Sequence, residues 1–173
     1  MGQLARTLRS DWFYFILPAT LIWLCALLVT ARDFWMRCPR MLRFNGMAFL
    51  GIASMLLGIA TRRIARRDLG KHFSIALRTL DDHVLVTDGI YTRVRHPSYT
   101  GDLMFQFGLP LLFGSWRGLL VMLLLIAPIL MRIRLEERML IAKFGSRYRE
   151  YQQRSGALLP RPPFVKDLTK LLK

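Results

Sequence analysis

Apolar and polar positions alternate along this chain in long blocks rather than residue by residue. Trp12 to Ala31 is a run of twenty residues without a charge. At 1.5 Å rise per residue such a helix covers roughly 30 Å, the thickness of a bilayer's hydrocarbon core. Pro18 within it predicts a kink. Phe44 to Thr61 forms a second run, in which Gly51, Ser54 and Gly58 make a stripe of small residues that lets another helix approach closely. From Leu103 to Met131, 29 residues are broken only by Gly114-Ser115-Trp116-Arg117-Gly118. One helix of that length would overshoot the membrane, so the pattern predicts a helical hairpin with arms at about 99–116 and 118–133. The expected fold is therefore all-α and integral to the membrane. It has about four transmembrane helices (12–31, 44–61, 99–116 and 118–133) in a single domain over 1–173, the last two helices forming the hairpin.

Composition sharpens this picture. The chain is 53% hydrophobic, yet 26 Lys and Arg stand against 11 acidic residues, for a net charge of +15. Basic and apolar stretches must alternate, which suits a membrane rather than nucleic acid. Arg6 and Arg9 ahead of the first run imitate a signal peptide, but the run lacks a convincing cleavage site and reads as a retained span. The segments before the first span, between the second and third, and from Arg132 onward carry 2, 8 and 11 Lys plus Arg, against five on the other side. The positive-inside rule then places both termini and the Arg62 to Arg95 connection in the cytoplasm. Phe164 to Lys173 sets Phe164, Leu168, Leu171 and Leu172 near one helical face beside lysines, a pattern for a helix on the membrane surface. Cys25 and Cys38 have neither C-x-x-C spacing nor a histidine cluster, so neither a disulfide nor a metal site is expected.

Two basic segments carry the candidate chemistry. The first runs from His83 to Asp102 and enters the third apolar run. Gly89 marks a turn. Pro97 suits the first turn of a helix and leaves the amides near Ser98 and Tyr99 unpaired, a start that attracts anions such as a carboxylate. His96 or Tyr99 would add a side-chain donor. Alone, Arg-His-Pro at a helix entrance reads as interfacial anchoring. In the second segment Arg132 and Glu136 are i,i+4 on one helical face, which alone reads as a salt bridge at a helix end.

Together the two segments resemble the isoprenylcysteine carboxyl methyltransferase family. Its loop of the form His-x-Leu-Val-(x)3-(Ile/Val)-Tyr, followed by Arg-His-Pro-Ser-Tyr-x-Gly, reads here as His83 to Tyr91 and Arg95 to Gly101. Its second block, an Arg and a Glu pair before Phe-Gly-x-x-Tyr-x-x-Tyr, reads as Arg132, Glu136, Glu137 and Phe144 to Tyr151. The resemblance covers about Asp68 to Pro160. It implies a membrane methyltransferase using S-adenosyl-L-methionine, with S-adenosylhomocysteine as product, and a cytoplasmic cofactor pocket built from about 68–102 and 132–163. His83, Val84, Leu85, Val86, Tyr91, His96, Pro97, Ser98, Tyr99 and Glu136 would contact the cofactor, and Arg132 the acceptor. Arg78 falls where the family contributes another contact, across a length difference.

The implied partners are a lipophilic acceptor entering from the bilayer and the membrane lipids themselves. A carboxylate acceptor, as on prenylcysteine, needs orientation but no general base. Two other readings stay open at this stage. A phospholipid amine N-methyltransferase would need a base from Asp102, Glu137 or a histidine. An NADPH-dependent sterol or enone reductase is motivated by Gly101-Asp102-Leu103, which is similar to the end of the sterol reductases.

Overall fold

The computed structural model describes residues 15–36, 46–70 and 85–161. His83, Val84, Arg78 and the segment 164–173 lie outside the described residues. Within them the chain is built from helices: α1 (Leu17–Met36), α2 (Gly46–Leu69), a 3₁₀ turn (Gly89–Thr92), α3 (Pro97–Leu112), α4 (Trp116–Leu123), α5 (Ile126–Phe144) and α6 (Ser146–Arg154). Three stretches are long and apolar enough to cross a membrane: α1, α2, and the nearly continuous rod Trp116–Phe144 formed by α4 and α5. Leu21, Leu24, Leu28, Phe49, Leu50, Leu56 and Leu57 are exposed on α1 and α2, as lipid-facing side chains must be. A small interior of Ala26, Met122 and Leu125 joins α1 to the rod, with Trp23, Phe107 and Val121 packed around it.

The small-residue stripe of α2 meets α3. A Cβ at Gly58 would come within 2.6 Å of the Gly101 carbonyl oxygen, and one at Gly51 within 2.7 Å of the Gly108 carbonyl oxygen. Backbone meets backbone here because no side chain intervenes. Ser54 Oγ donates to the Met104 carbonyl at 2.6 Å, satisfying its hydroxyl in the same seam. Arg62 and Asp102 close the seam as an ion pair.

The expected hairpin exists, with its break shifted. α3 ends at Leu112, and the turn uses Gly114 in the left-handed region (φ +64). Ser115 then caps α4 by accepting from the Gly118 amide at 3.0 Å. At 16 residues, α3 is about 24 Å long, and α2 packs along it from Gly58 beside Gly101 to Gly51 beside Leu112. At its far end Asp33, buried near the end of α1, accepts from Ser115 Oγ at 2.8 Å and faces Arg117 at 3.4 Å. These contacts explain why α1 continues past Ala31. Likewise α2 continues past Thr61 through Arg62, Arg63, Arg66 and Arg67 to Leu69.

Pro18 lies at the second position of α1, and the two described residues ahead of α1, Phe15 and Ile16, are π-helical, so the helix departs from α geometry where the proline's N–H is missing. A second local break lies in the rod before Pro128. There Leu124 and Leu125 donate to Val121 and Met122, three residues back, at 3.1 and 3.0 Å.

Candidate active site

The two motif segments, separated in sequence by the 29 residues from Leu103 to Met131, meet at the end of the bundle opposite Asp33. His96 precedes α3 as its N-cap residue and Pro97 occupies the first turn, and no side chain caps the helix start. The amides of Ser98 and Tyr99 face forward from that turn as at any uncapped helix start. From α5, Arg132 Nε donates to Tyr99 Oη at 2.8 Å, and Tyr99 Oη donates to Glu136 Oε2 at 3.0 Å. Tyr99 thus stands between the two residues that share a face of α5. The Arg132 guanidinium also lies 4.4 Å from the ring centroid of Phe15, so the site end of α1 closes over it.

His96 is buried between two carboxylates. Its Nδ1 lies 3.7 Å from Glu136 Oε2 and its Nε2 lies 3.4 Å from Glu137 Oε1. Its ring stacks on Tyr99 with centroids 5.7 Å apart. Glu137 pairs with an arginine remote in sequence: Arg95 Nε donates to Glu137 Oε1 at 2.7 Å. Gln152 Nε2 donates to the other oxygen at 2.9 Å.

A clasp made by the segment after α6 holds this arrangement. Arg95 N donates to the Gly156 carbonyl at 2.8 Å, His96 N to Ala157 at 3.0 Å, and Gly156 N to Arg93 at 3.0 Å. Thr100 Oγ1 donates to Leu158 at 2.6 Å, and the Arg95 guanidinium also donates to the Ser155 carbonyl. The entrance to α3 is therefore fixed by carbonyls from residues 155–158. That is why its backbone stays ordered without a regular partner strand.

Tyr91 is buried, and its hydroxyl donates to the Ala65 carbonyl at 3.3 Å, with Ser98 as a second hydrogen-bond partner. Asp68 accepts from the Ile90 amide at 2.9 Å, so the 3₁₀ turn is docked on the end of α2. Tyr151 Oη donates to the Tyr91 carbonyl at 2.6 Å. Burial pushes both the Tyr91 and Tyr151 phenols up to about 12, so both remain protonated donors.

Of the residues expected from sequence, Tyr91, His96, Pro97, Ser98, Tyr99, Arg132 and Glu136 converge on this end. Leu85 and Val86 lie half-buried in the irregular stretch before the 3₁₀ turn. Sequence reasoning missed Arg95 as the clasp's anchor, together with Asp68, Gln152 and the carbonyls of 155–158. Asp68 had a faint signal, an acid directly after the basic run Arg62 to Arg67 in the last turn of α2. Carbonyl acceptors leave none.

The model of the "Isoprenylcysteine carboxyl methyltransferase (ICMT) family" matches residues 49–142. The protein-S-isoprenylcysteine O-methyltransferase of Saccharomyces cerevisiae is 37% identical over 114 residues, covering 64% of this chain and 48% of that protein. The one from Tribolium castaneum is 31% identical over 127 residues, covering 70% and 44%. The solved structure of a eukaryotic intramembrane Ras methyltransferase, ICMT, superposes with a TM-score of 0.72 at 28% identity, over 79% of this chain and 51% of that one. The chain thus spans about half the length of the relatives it matches.

Proposed function

The chain belongs to the isoprenylcysteine carboxyl methyltransferase family, and from that premise we propose that it is an S-adenosylmethionine-dependent methyltransferase acting on a carboxylate of a lipophilic acceptor. The observation that carries the reading is the Arg132–Tyr99–Glu136 chain of hydrogen bonds. It joins a residue able to hold an acceptor carboxylate to one able to hold a cofactor donor. The protein is integral to the membrane, by its three apolar spans and its intramembrane structural neighbour. α3 is read as a fourth crossing, with the active site and both termini on the cytoplasmic side, where most of the basic residues fall.

The site fits the cofactor. The uncapped start of α3 offers amides to an amino-acid carboxylate. Glu136 and His96 offer acceptors to hydroxyl or ammonium donors, and Tyr91, Pro97, Ser98 and Tyr99 would complete the contact surface, with His83, Val84, Leu85 and Val86 supplied by the preceding loop. When bound, S-adenosylmethionine supplies a methyl activated on a sulfonium.

The remaining work is positional. A prenylcysteine α-carboxyl has a pKa of about 3.5 and is ionised at neutral pH, so no residue need remove a proton. Arg132 can hold such a carboxylate through the two terminal nitrogens of its guanidinium while Nε is anchored on Tyr99. Burial of Arg132 strengthens that attraction by excluding water. An amine acceptor would instead need a base, and Asp102 and Glu137 are each engaged with an arginine. The acceptor's apolar tail would reach the site from the lipid between helices.

The deciding experiment supplies the purified protein in detergent with labelled S-adenosylmethionine and, separately, prenylcysteine analogues or aminophospholipids. Base-labile label on the prenylcysteine analogue is expected. Label appearing only on the aminophospholipid would replace the carboxylate reading with amine methylation, and thermal stabilisation by NADPH but not by S-adenosylhomocysteine would replace both.

A further inference from the structure

Two buried side-chain polar atoms among the described residues have no hydrogen-bond partner: Thr30 Oγ1 at the far end and Tyr148 Oη at the site end. Tyr148 is 1% exposed. An orphaned hydroxyl of this kind is costly to retain, and most buried hydroxyls in folded proteins have partners. Its position is set by α6. Tyr148, Tyr151 and Gln152 are i, i+3 and i+4 and share one face of that helix. Tyr151 on that face donates to the Tyr91 carbonyl, and Gln152 donates to Glu137. The Tyr148 ring meets Tyr151 edge-on with centroids 5.9 Å apart, and its hydroxyl senses the charges of Glu137, Arg95 and Glu136. The face that carries the orphan is thus the face turned toward the two motif segments. Burial holds the phenol well above its ordinary range, which keeps it a proton donor in search of an acceptor.

We propose that Tyr148 is a further ligand-contacting residue, whose hydroxyl donates to an acceptor oxygen or nitrogen of the bound adenosyl amino acid. This rests on the methyltransferase reading above. It adds a side-chain hydroxyl donor to a site whose polar side chains Glu136 and His96 act as acceptors: they take hydrogens from the ligand, and Tyr148 gives one. A hydroxyl unpartnered in the free protein and partnered in the complex has a distinctive signature, because its removal relieves the first state and harms the second.

The test is Tyr148→Phe, with Tyr151→Phe as the contrast, measured by thermal unfolding in detergent with and without S-adenosylhomocysteine. Without ligand, Tyr148→Phe should melt at or above the wild-type temperature, whereas Tyr151→Phe, which loses a made hydrogen bond, should melt lower. With ligand, the dissociation constant of Tyr148→Phe should rise about five- to tenfold. A Tyr148→Phe protein that melts lower without ligand and binds it normally would overturn the proposal, since the hydroxyl would then be partnered within the protein. If Tyr148→Phe does not fold, 3-fluorotyrosine at position 148 of the otherwise native chain gives the same answer. Its fluorine resonance should move on addition of S-adenosylhomocysteine, and an unmoved resonance in a sample that binds the ligand overturns the proposal. Failure of the wild-type protein to bind S-adenosylhomocysteine at all would instead count against the methyltransferase reading itself.

Discussion

Arg132 and Tyr99 are joined by a 2.8 Å hydrogen bond from Nε to the phenol oxygen, and the same hydroxyl donates a hydrogen bond to Glu136 at 3.0 Å. One hydroxyl therefore fixes both the residue assigned to the acceptor and the residue assigned to the cofactor.

Changing Tyr99 to Phe should consequently act on both functions. Methyl transfer should fall at least tenfold, and the dissociation constant of S-adenosylhomocysteine should rise several-fold, because Arg132 and Glu136 each lose a partner. Calorimetry with S-adenosylhomocysteine alongside radiolabel transfer checks this. Unchanged cofactor affinity would remove Tyr99 from the cofactor side of the site.

Arg132→Ala should separate the two functions. Transfer should be lost while cofactor affinity stays within a few fold, since the side chain is assigned to the acceptor. Arg132→Lys should recover little, because an ammonium lacks the fork needed to hold a carboxylate and Tyr99 together. Equal loss of binding and transfer in the Ala variant would contradict the assignment.

The motif residues around Tyr99 were legible in the sequence because each carries a side chain typical of chemistry: His96, Pro97, Tyr99, Arg132, Glu136. The hairpin and the small-residue seam were legible too, from Gly114 and from Gly51, Ser54 and Gly58. Helix ends were not. Hydropathy records where charges begin, whereas a helix ends where its backbone bonding ends, and Arg62 to Arg67 prolong α2 because Arg is a good helix former. The clasp by 155–158 stayed hidden because main-chain carbonyls have no sequence signature.

The clasp predicts its own mutational phenotype. Arg95 and Glu137 are largely buried (side chains 10% and 17% exposed), so Arg95→Ala leaves a carboxylate and two carbonyls short of donors. A loss of about 3 kcal/mol is expected. Amide exchange should quicken first at Gly156 and at residues 93–96. A melting temperature within one degree of wild type would show that the segment is held by other means.

The α2–α3 seam should tolerate no side chain. Gly58→Val and Gly101→Val force backbone apart where a Cβ would already meet a carbonyl oxygen at 2.6 Å, costing roughly 3 kcal/mol or more. Gly46→Ala, with nothing within 4 Å, should change stability by less than about 0.5 kcal/mol. Thermal unfolding of the three variants makes the comparison.

Alkaline pH should loosen the docked turn. Tyr91 and Tyr151 titrate at about 12 in the folded protein, against 10.0 when unperturbed. Between these values the folded state holds more protons than the unfolded one, so unfolding becomes easier as pH rises. The stabilisation is complete below pH 10 and disappears through pH 12, with a slope of up to about 1.4 kcal/mol per pH unit per tyrosine. Melting temperatures from pH 9 to pH 11.5 should fall more steeply for wild type than for a Tyr91→Phe/Tyr151→Phe double variant.

The carbonyls of Gly156 and Ala157 receive the amides of Arg95 and His96, residues made some sixty positions earlier. During synthesis, the entrance to α3 leaves the ribosome without the acceptors that give it shape. A nascent chain can therefore thread its apolar helices into the bilayer before the entrance to α3 has its final shape, which waits until residues 155–158 emerge and fold back. Completion of this end of the bundle depends on α6 and the few residues after it, and insertion alone does not supply it.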